Sequence, residues 1–494
     1  MLISGLALGA VLGFVMQRGR FCVTGFLRDI FTQRSWRGFV ALLIVISVHA
    51  IGLAALTSAG VITPEYNELA PVAVIVGGVI FGLGIVLAGG CASGTWYRSG
   101  EGLIGSWIAL VFYALSAAAM KTGFLGGLQN SLKDRTVGLT SIHASLGISI
   151  WPLVIALSAV TAYFAVRFLR EEFSGPRPAT LAPRKSGLAH ILTEKAWHVY
   201  ATAAIVGVLG VIAWPLSAAT GRNDGLGITT PSSNLANYVV TGDTERFDWG
   251  VLLVLGILVG SFIAAKASGE FRLRVPDATQ GARSVVGGIF MGVGAAWAGG
   301  CTVGNGMVQT SLFSYQGWLA LASIAAGVAI AAKLWLKPSA PSLNDVPSTP
   351  STTNDTAVSA TAPVTSAATS PVSLPGSEGA GVAGTEASPL AGAFTVAPVA
   401  LLDRSVVKQE DGKLKPLGDG RYELDTVGAV CPFPLIEAKD AINKIEVGEE
   451  LVIPFDCTQA TDAIPRWAAK DGHEVTNFEQ TGEAGWTISV RRGR

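Results

Sequence analysis

The chain has 494 residues, of which 50% are hydrophobic and only 14% charged, and its formal net charge is zero. A soluble globular domain does not carry that composition, and no nucleic-acid partner is expected. The balance is uneven along the chain: the apolar portion before residue 338 is net basic and residues 402–494 are net acidic.

Nine apolar segments are long enough to span a bilayer, which needs roughly 20 residues: 1–17, 37–59, 70–89, 103–119, 147–169, 197–216, 249–266, 284–300 and 315–336. The first is not read as a cleaved signal, because Arg18, Arg20, Arg28 and Arg34 follow the apolar run instead of preceding it. Lys121, Lys133, Arg135, Arg222 and Arg246 fall in the outer connections of a chain that starts outside, and the many remaining Lys and Arg in the inner ones. That bias predicts an external amino terminus and a cytosolic carboxyl terminus.

Two stretches in this region nearly repeat. GGVIFGLGIVLAGGCASGTWYRSGEG starts at Gly77 and GGIFMGVGAAWAGGCTVGNGMVQTS at Gly287. Each apolar run ends in Gly-Gly-Cys, so Cys91 and Cys301 sit just past a helix break. With the expected topology the first break faces inward and the second outward, an inverted repeat with halves at about 1–145 and 197–336. Interrupted segments at matching places in two halves point to a transport site at the pseudo-symmetric centre. Cys22 lies in a third such place, GRFCVTG, with no clear cysteine counterpart in the second half. The related segment from Gly256 puts Arg272 near that position.

From Pro338 to about Ala400 the chain is Ser, Thr, Pro, Ala and Gly with few large apolar groups, a composition too poor to bury a core. Residues 338–401 are expected to form a disordered linker with a reach on the order of 40 Å. Residues 402–494 return to globular composition. RYELDTVG, ELVIPFDC, HEVTNFEQ and GWTISVRR read as strands, PFPLIEAKDAINKI and TQATDAIPRWAAKDG as helices. The expected architecture is a polytopic α-helical membrane domain over 1–337 with broken helices, followed by a small cytosolic α/β sandwich of order βαβαββ. Its acidic charge should attract the basic cytoplasmic face of the membrane part.

Taken singly, a membrane cysteine is most often a small buried apolar residue. Here two occupy equivalent places in a repeat, and all three adjoin breaks where backbone N–H groups lack partners. Such N–H groups and the helix dipole offset the cost of bringing an anion to mid-membrane. A thiol adds a weak, polarizable donor that admits an ion without trapping it. The odd cysteine count and a reducing cytosol argue against a structural disulfide. No His adjoins a cysteine, so neither a metal nor any other cofactor is expected. Cys431 precedes Pro432-Phe433-Pro434 at a helix start, which favours its thiolate. Lys439, two turns on, either adds positive potential or is a solvated helix face. Cys457, at a strand end, is either a working thiol or a packed one. Arg98 and Glu101 could pair at the membrane surface, and Asn305 could orient the second break or accommodate a left-handed turn.

Together GRFCVTGFLRD, GGCASGTWYRSGEG and GGCTVGNG resemble the YeeE/YedE family of sulfur-compound transporters over roughly residues 1–336. From about Leu402 the tail, through DTVGAVCPFPLIEAK and VIPFDCTQATDAIPRWA, resembles the TusA/YeeD sulfur-carrier proteins. The resemblance implies an hourglass-shaped protein in a bacterial inner membrane, passing thiosulfate over Cys22, Cys91 and Cys301. It also implies that Cys431 takes up or processes the sulfur. Lys439 then matches the lysine of the CPxP helix, and Cys457 a second cysteine of the YeeD-like subgroup. A sulfurtransferase or thiosulfate-decomposing tail and downstream sulfur-acceptor proteins follow as expectations. Two alternatives are a membrane-anchored sulfurtransferase and a transporter of another sulfur or selenium species.

Overall fold

In a lipid interior a backbone polar group has no partner but another backbone group, so apolar runs near 20 residues fold as helices. A computed structural model of the chain describes residues 2–336 and 414–493. The linker expected over 338–401 and the first residues of the tail lie outside the described residues. The first half supplies α1 (Ile3–Arg18), α2 (Val23–Thr32), α3 (Arg37–Ser58), α4 (Pro71–Leu87), α5 (Ala92–Gly100) and α6 (Ile104–Lys121). Short helices α7 (Gly126–Lys133) and α8 (Ile142–Ser145) lead to α9 (Trp151–Ser174), and α10 (Gly187–Thr193) precedes the second half. That half contains α11 (Val199–Ala218), α12 (Thr229–Thr241), α13 (Trp249–Ser268), α14 (Ala278–Ala298), a π-helical turn over Gly304–Gln309, and α15 (Tyr315–Trp335).

Among the described residues, eight segments are long and apolar enough to cross a membrane, with α1–α2 and α4–α5 each counted as one 30-residue segment. The chain is a multi-pass membrane protein. The segment expected at 284–300 is α14, which is not one of the eight. It begins six residues earlier because the Asp277 carboxylate accepts a hydrogen bond from the Gln280 nitrogen (3.2 Å) and caps a polar first turn. Helix α12 was not anticipated, because its sequence TTPSSNLANYVVT carries no long apolar run.

The packing has the exchange symmetry of an inverted repeat. Helix α4 packs on α15 as α14 packs on α6, α13 on α1 as α3 on α11, and α15 on α2 as α6 on α12. Direction is read from the glycines between α4 and α14. Gly77 meets Gly294 and Ala298, whereas Gly84 meets Gly287 and Met291, so the two helices run antiparallel. A Cβ at Gly84 would stand 2.7 Å from the Met291 nitrogen, and one at Gly294 2.5 Å from the Phe81 nitrogen. Only glycine permits that approach. The two Gly-Gly-Cys breaks therefore lie at opposite ends of the paired segment, and Gly77 to Ala88 spans about 16 Å at 1.5 Å per residue.

The tail is a mixed five-stranded sheet, with strands β1 (Leu414–Gly418), β2 (Arg421–Leu424), β3 (Glu450–Phe455), β4 (Glu474–Gly482) and β5 (Gly485–Arg491) in the order β1-β2-β3-β5-β4. Helices α16 (Phe433–Ile442) and α17 (Ala460–Asp471) complete it. Strand β1 adds one strand to the four expected. Pro416 obscured it, yet β1 is an edge strand, where proline is tolerated. Asp419 and Gly420, both at positive φ, turn it into β2. Strands β2 and β3 run parallel. The loops that leave them therefore emerge side by side, which positions the tail's cysteines.

Candidate functional site

The three membrane cysteines share one local geometry. Each stands just before a short helix or turn and its carbonyl accepts the first bond of that turn: Phe26 N to Cys22 O (3.0 Å), Thr95 N to Cys91 O (2.8 Å), Asn305 N to Cys301 O (2.9 Å). All three thiols are free and buried. Both Gly-Gly breaks are held by a side chain from the following turn. Arg98 Nη1 donates to the Gly89 carbonyl. Asn305 Nδ2 donates to Ala298 O (2.8 Å) and Gly300 O (3.1 Å), while Gln316 Nε2 donates to Asn305 Oδ1 (2.9 Å). Asn305 thus satisfies carbonyls orphaned by the break. Arg98 and Glu101 are both buried and no ion pair joins them, so a surface pair is not what this structure contains.

Cys22 and Cys91 come together, while Cys301 stands apart. A Cβ at Gly94 would lie 3.3 Å from Cys91 Sγ and 3.8 Å from Cys22 Sγ, so the two sulfurs flank this glycine. Arg98 Nη2 approaches Cys22 Sγ at 3.8 Å, and Cys91 Sγ lies 3.4 Å from Ser93 Oγ. The fully buried Tyr113 stands within electrostatic reach of both Cys91 and Cys301, and its hydroxyl donates to Thr229 Oγ1 (2.8 Å). Thr229 opens α12, the partner of α2 under the repeat. The structural counterpart of Cys22 is therefore the Ile228–Thr229 corner and not Arg272. The apolar run from Gly256 belongs to α13, the partner of α3, so it does not align with the segment that holds Cys22.

Past this pair lies a cavity of about 230 Å³ lined by Arg98, Glu101, Arg272, Arg274, Cys431 and Cys457 among others. Arg98 thus borders both the Cys22 thiol and this vestibule. Arg274 Nε and Nη2 are buried with no hydrogen-bond partner among the described residues, as is the hydroxyl of Ser284 on the same wall. Burial lifts the Glu101 carboxyl to about 7, although Arg274 pulls it down.

In the tail, Cys431 and Cys457 are joined as a disulfide with 6.2 Å between their Cα atoms. This corrects the expectation that no disulfide forms. The odd count leaves three thiols in the membrane part, and the parallel β2–β3 pair sets the other two side by side. Lys439 is not among the described residues lining the vestibule. Burial pushes its ammonium below the usual range, while Asp471 and Asp29 act the other way. Gly94, Tyr113, Thr229 and Arg274 were not singled out from the sequence. Tyr113 and Thr229 join the site only through helix packing, and Arg274 only through the cavity it lines.

Comparison with known proteins gives two family matches. Residues 18–330 match the family described as Sulphur transport, and residues 422–492 the one described as Sulfurtransferase TusA. The thiosulfate transporter TsuA of Escherichia coli K12 is 51% identical over 328 residues, covering 66% of this chain and 93% of that protein. TsuA of Spirochaeta thermophila is 32% identical over 337 residues, 65% of this chain and 94% of its own length. A putative sulfur carrier protein, TsuB of Escherichia coli K12, is 59% identical over 70 residues, 14% of this chain and 93% of its length.

Proposed function

The chain belongs to the sulphur transport family, and from that premise we propose that it carries thiosulfate inward across the cytoplasmic membrane to a tethered cysteine domain. The amino terminus is external and the tail cytosolic in this reading. The observation that carries it is the set of thiols at broken-helix starts, Cys22, Cys91 and Cys301, with Arg98 joining Cys22 to a vestibule bordered by Cys431. Soft donors and unpaired backbone N–H groups bind a dianion weakly enough to release it. The tail begins near residue 402, and its covalent attachment to the membrane part keeps the acceptor at an effective concentration on the order of millimolar.

The tail docks on the cytoplasmic face in this reading, and several hydrogen bonds support that arrangement. Arg28 Nη1 donates to the Cys431 carbonyl (3.4 Å), Arg184 Nη2 to Gln480 O (3.3 Å), and Arg274 Nη1 to Asp456 O. Arg466 Nη1 of the tail donates to Glu172 Oε1 at 2.8 Å. Cys431 then receives the sulfane sulfur of the ion as it leaves the membrane. The test is labelled thiosulfate uptake in cells lacking other thiosulfate routes. Cys91→Ala is expected to abolish uptake at normal expression, and uptake equal to wild type would refute the thiol path.

A further inference from the structure

We propose that Cys457 is a resolving thiol, so that the sulfane sulfur taken by Cys431 leaves the tail as sulfide. The inference rests on the acceptor reading of Cys431 given above. Its first support is the joining of the two sulfurs, with Cα atoms 6.2 Å apart, inside the range a disulfide requires.

The second support is that other bonds hold the two loops together. Thr426 donates to Pro454 O through its nitrogen (3.1 Å) and its hydroxyl (2.9 Å), and Gly428 N donates to Asp456 Oδ1 (3.0 Å). Residues 426–431 and 454–457 therefore stay adjacent when the sulfurs are reduced. Third, the thiols differ in access. Cys431 is partly exposed and Cys457 buried, yet both border the vestibule.

The chemistry balances in three steps. The Cys431 thiolate attacks the sulfane sulfur of thiosulfate, the S–S bond breaks, and sulfite departs with the bonding electron pair. Cys431 is left as a persulfide. The Cys457 thiolate then attacks Cys431 Sγ, and the outer sulfur leaves with the electron pair of the broken bond as hydrosulfide, carrying the persulfide proton. Two thiols have been oxidised to a disulfide and the sulfane sulfur has been reduced to sulfide. A cytosolic dithiol reductant then opens the disulfide and resets the tail. Arg274 bears on the first step. The residue lines the same cavity and its buried Nε and Nη2 have no hydrogen-bond partner among the described residues, a fork whose chemistry suits the oxyanion that leaves.

The experiment uses the full-length chain in detergent, reduced, freed of reductant and given thiosulfate. The wild type should release an equivalent each of sulfite and sulfide and acquire the Cys431–Cys457 disulfide in a peptide map. Cys457→Ser, and Cys457→Ala as a second variant, should release sulfite without sulfide and keep the mass of an extra sulfur on Cys431. Sulfite with a lasting persulfide and no sulfide from the wild type would overturn the resolving role while leaving the acceptor reading intact. No sulfite from any of the three proteins would overturn both.

Discussion

Gly94 is the residue on which the membrane thiols turn. Its missing side chain is the space between Cys91 and Cys22, since even a methyl group there would sit 3.3 Å from one sulfur. Gly94→Val is therefore expected to cut uptake by about tenfold or more, read as loss of binding and passage together, with the protein still present in the membrane fraction. Glu101 gives a pH signature. Burial, opposed by Arg274, sets its folded pKa at about 7, above the ordinary 4.5. The charged form is thus disfavoured in the folded state, so this group costs stability as pH rises from the ordinary value through the folded one. Below the folded value the vestibule loses a negative charge. Thiosulfate uptake should therefore strengthen as internal pH falls across about 7, and Glu101→Gln should flatten that dependence and remove the loss of stability at high pH.

Between elements, the seam of α4 and α14 leaves no room for a side chain. Overpacking typically costs about 1–3 kcal/mol, and the obstacle to a side chain at Gly84 is the Met291 backbone, which has nowhere to retreat. Gly84→Leu should lower the thermal midpoint of the detergent-solubilised protein or prevent its assembly, whereas Gly127→Ala, with nothing within 4 Å, should leave it unchanged. A second element junction joins the end of α1 to the end of α13. Glu270 accepts from Gln17 Nε2 (2.6 Å) and pairs with Arg18 (3.3 Å) and Arg20 (3.1 Å). Burial raises its carboxyl, but the two arginines outweigh that and hold it below the usual range. Glu270→Ala strands the buried Arg18 and should cost about 3–5 kcal/mol, measured as a drop in midpoint. In the wild type that contribution is present above the ordinary carboxylate pKa and lost as pH falls through the folded one. The apolar runs and the duplicated Gly-Gly-Cys made the repeat and the three thiol positions readable from sequence. Polar α12 carries no apolar period to reveal it, so the counterpart of Cys22 at the Ile228–Thr229 corner is not legible in the sequence. The pairing of Cys431 with Cys457 was also invisible, since it depends on a parallel strand pair and not on cysteine number.

At the scale of the whole molecule, the proposed docking rests mostly on bonds from arginines of the membrane part to carbonyls of the tail, an arrangement in which charge attraction gathers the parts and directional bonds orient them. Cutting a protease site inserted between residues 337 and 413 should leave the tail on sedimented membranes at low salt and release it as ionic strength rises. Arg466→Glu, which sets like charge against Glu172, should release it at lower salt. Finally, Arg98 reaches the Cys22 thiol and lines the vestibule while one of its arms stays tied to Gly89. In the proposed transport, a guanidinium so restrained escorts one anion at a time, so passing Cys22 and entering the vestibule become a single event. On that reading, traffic is metered by how fast the vestibule empties, and import follows demand.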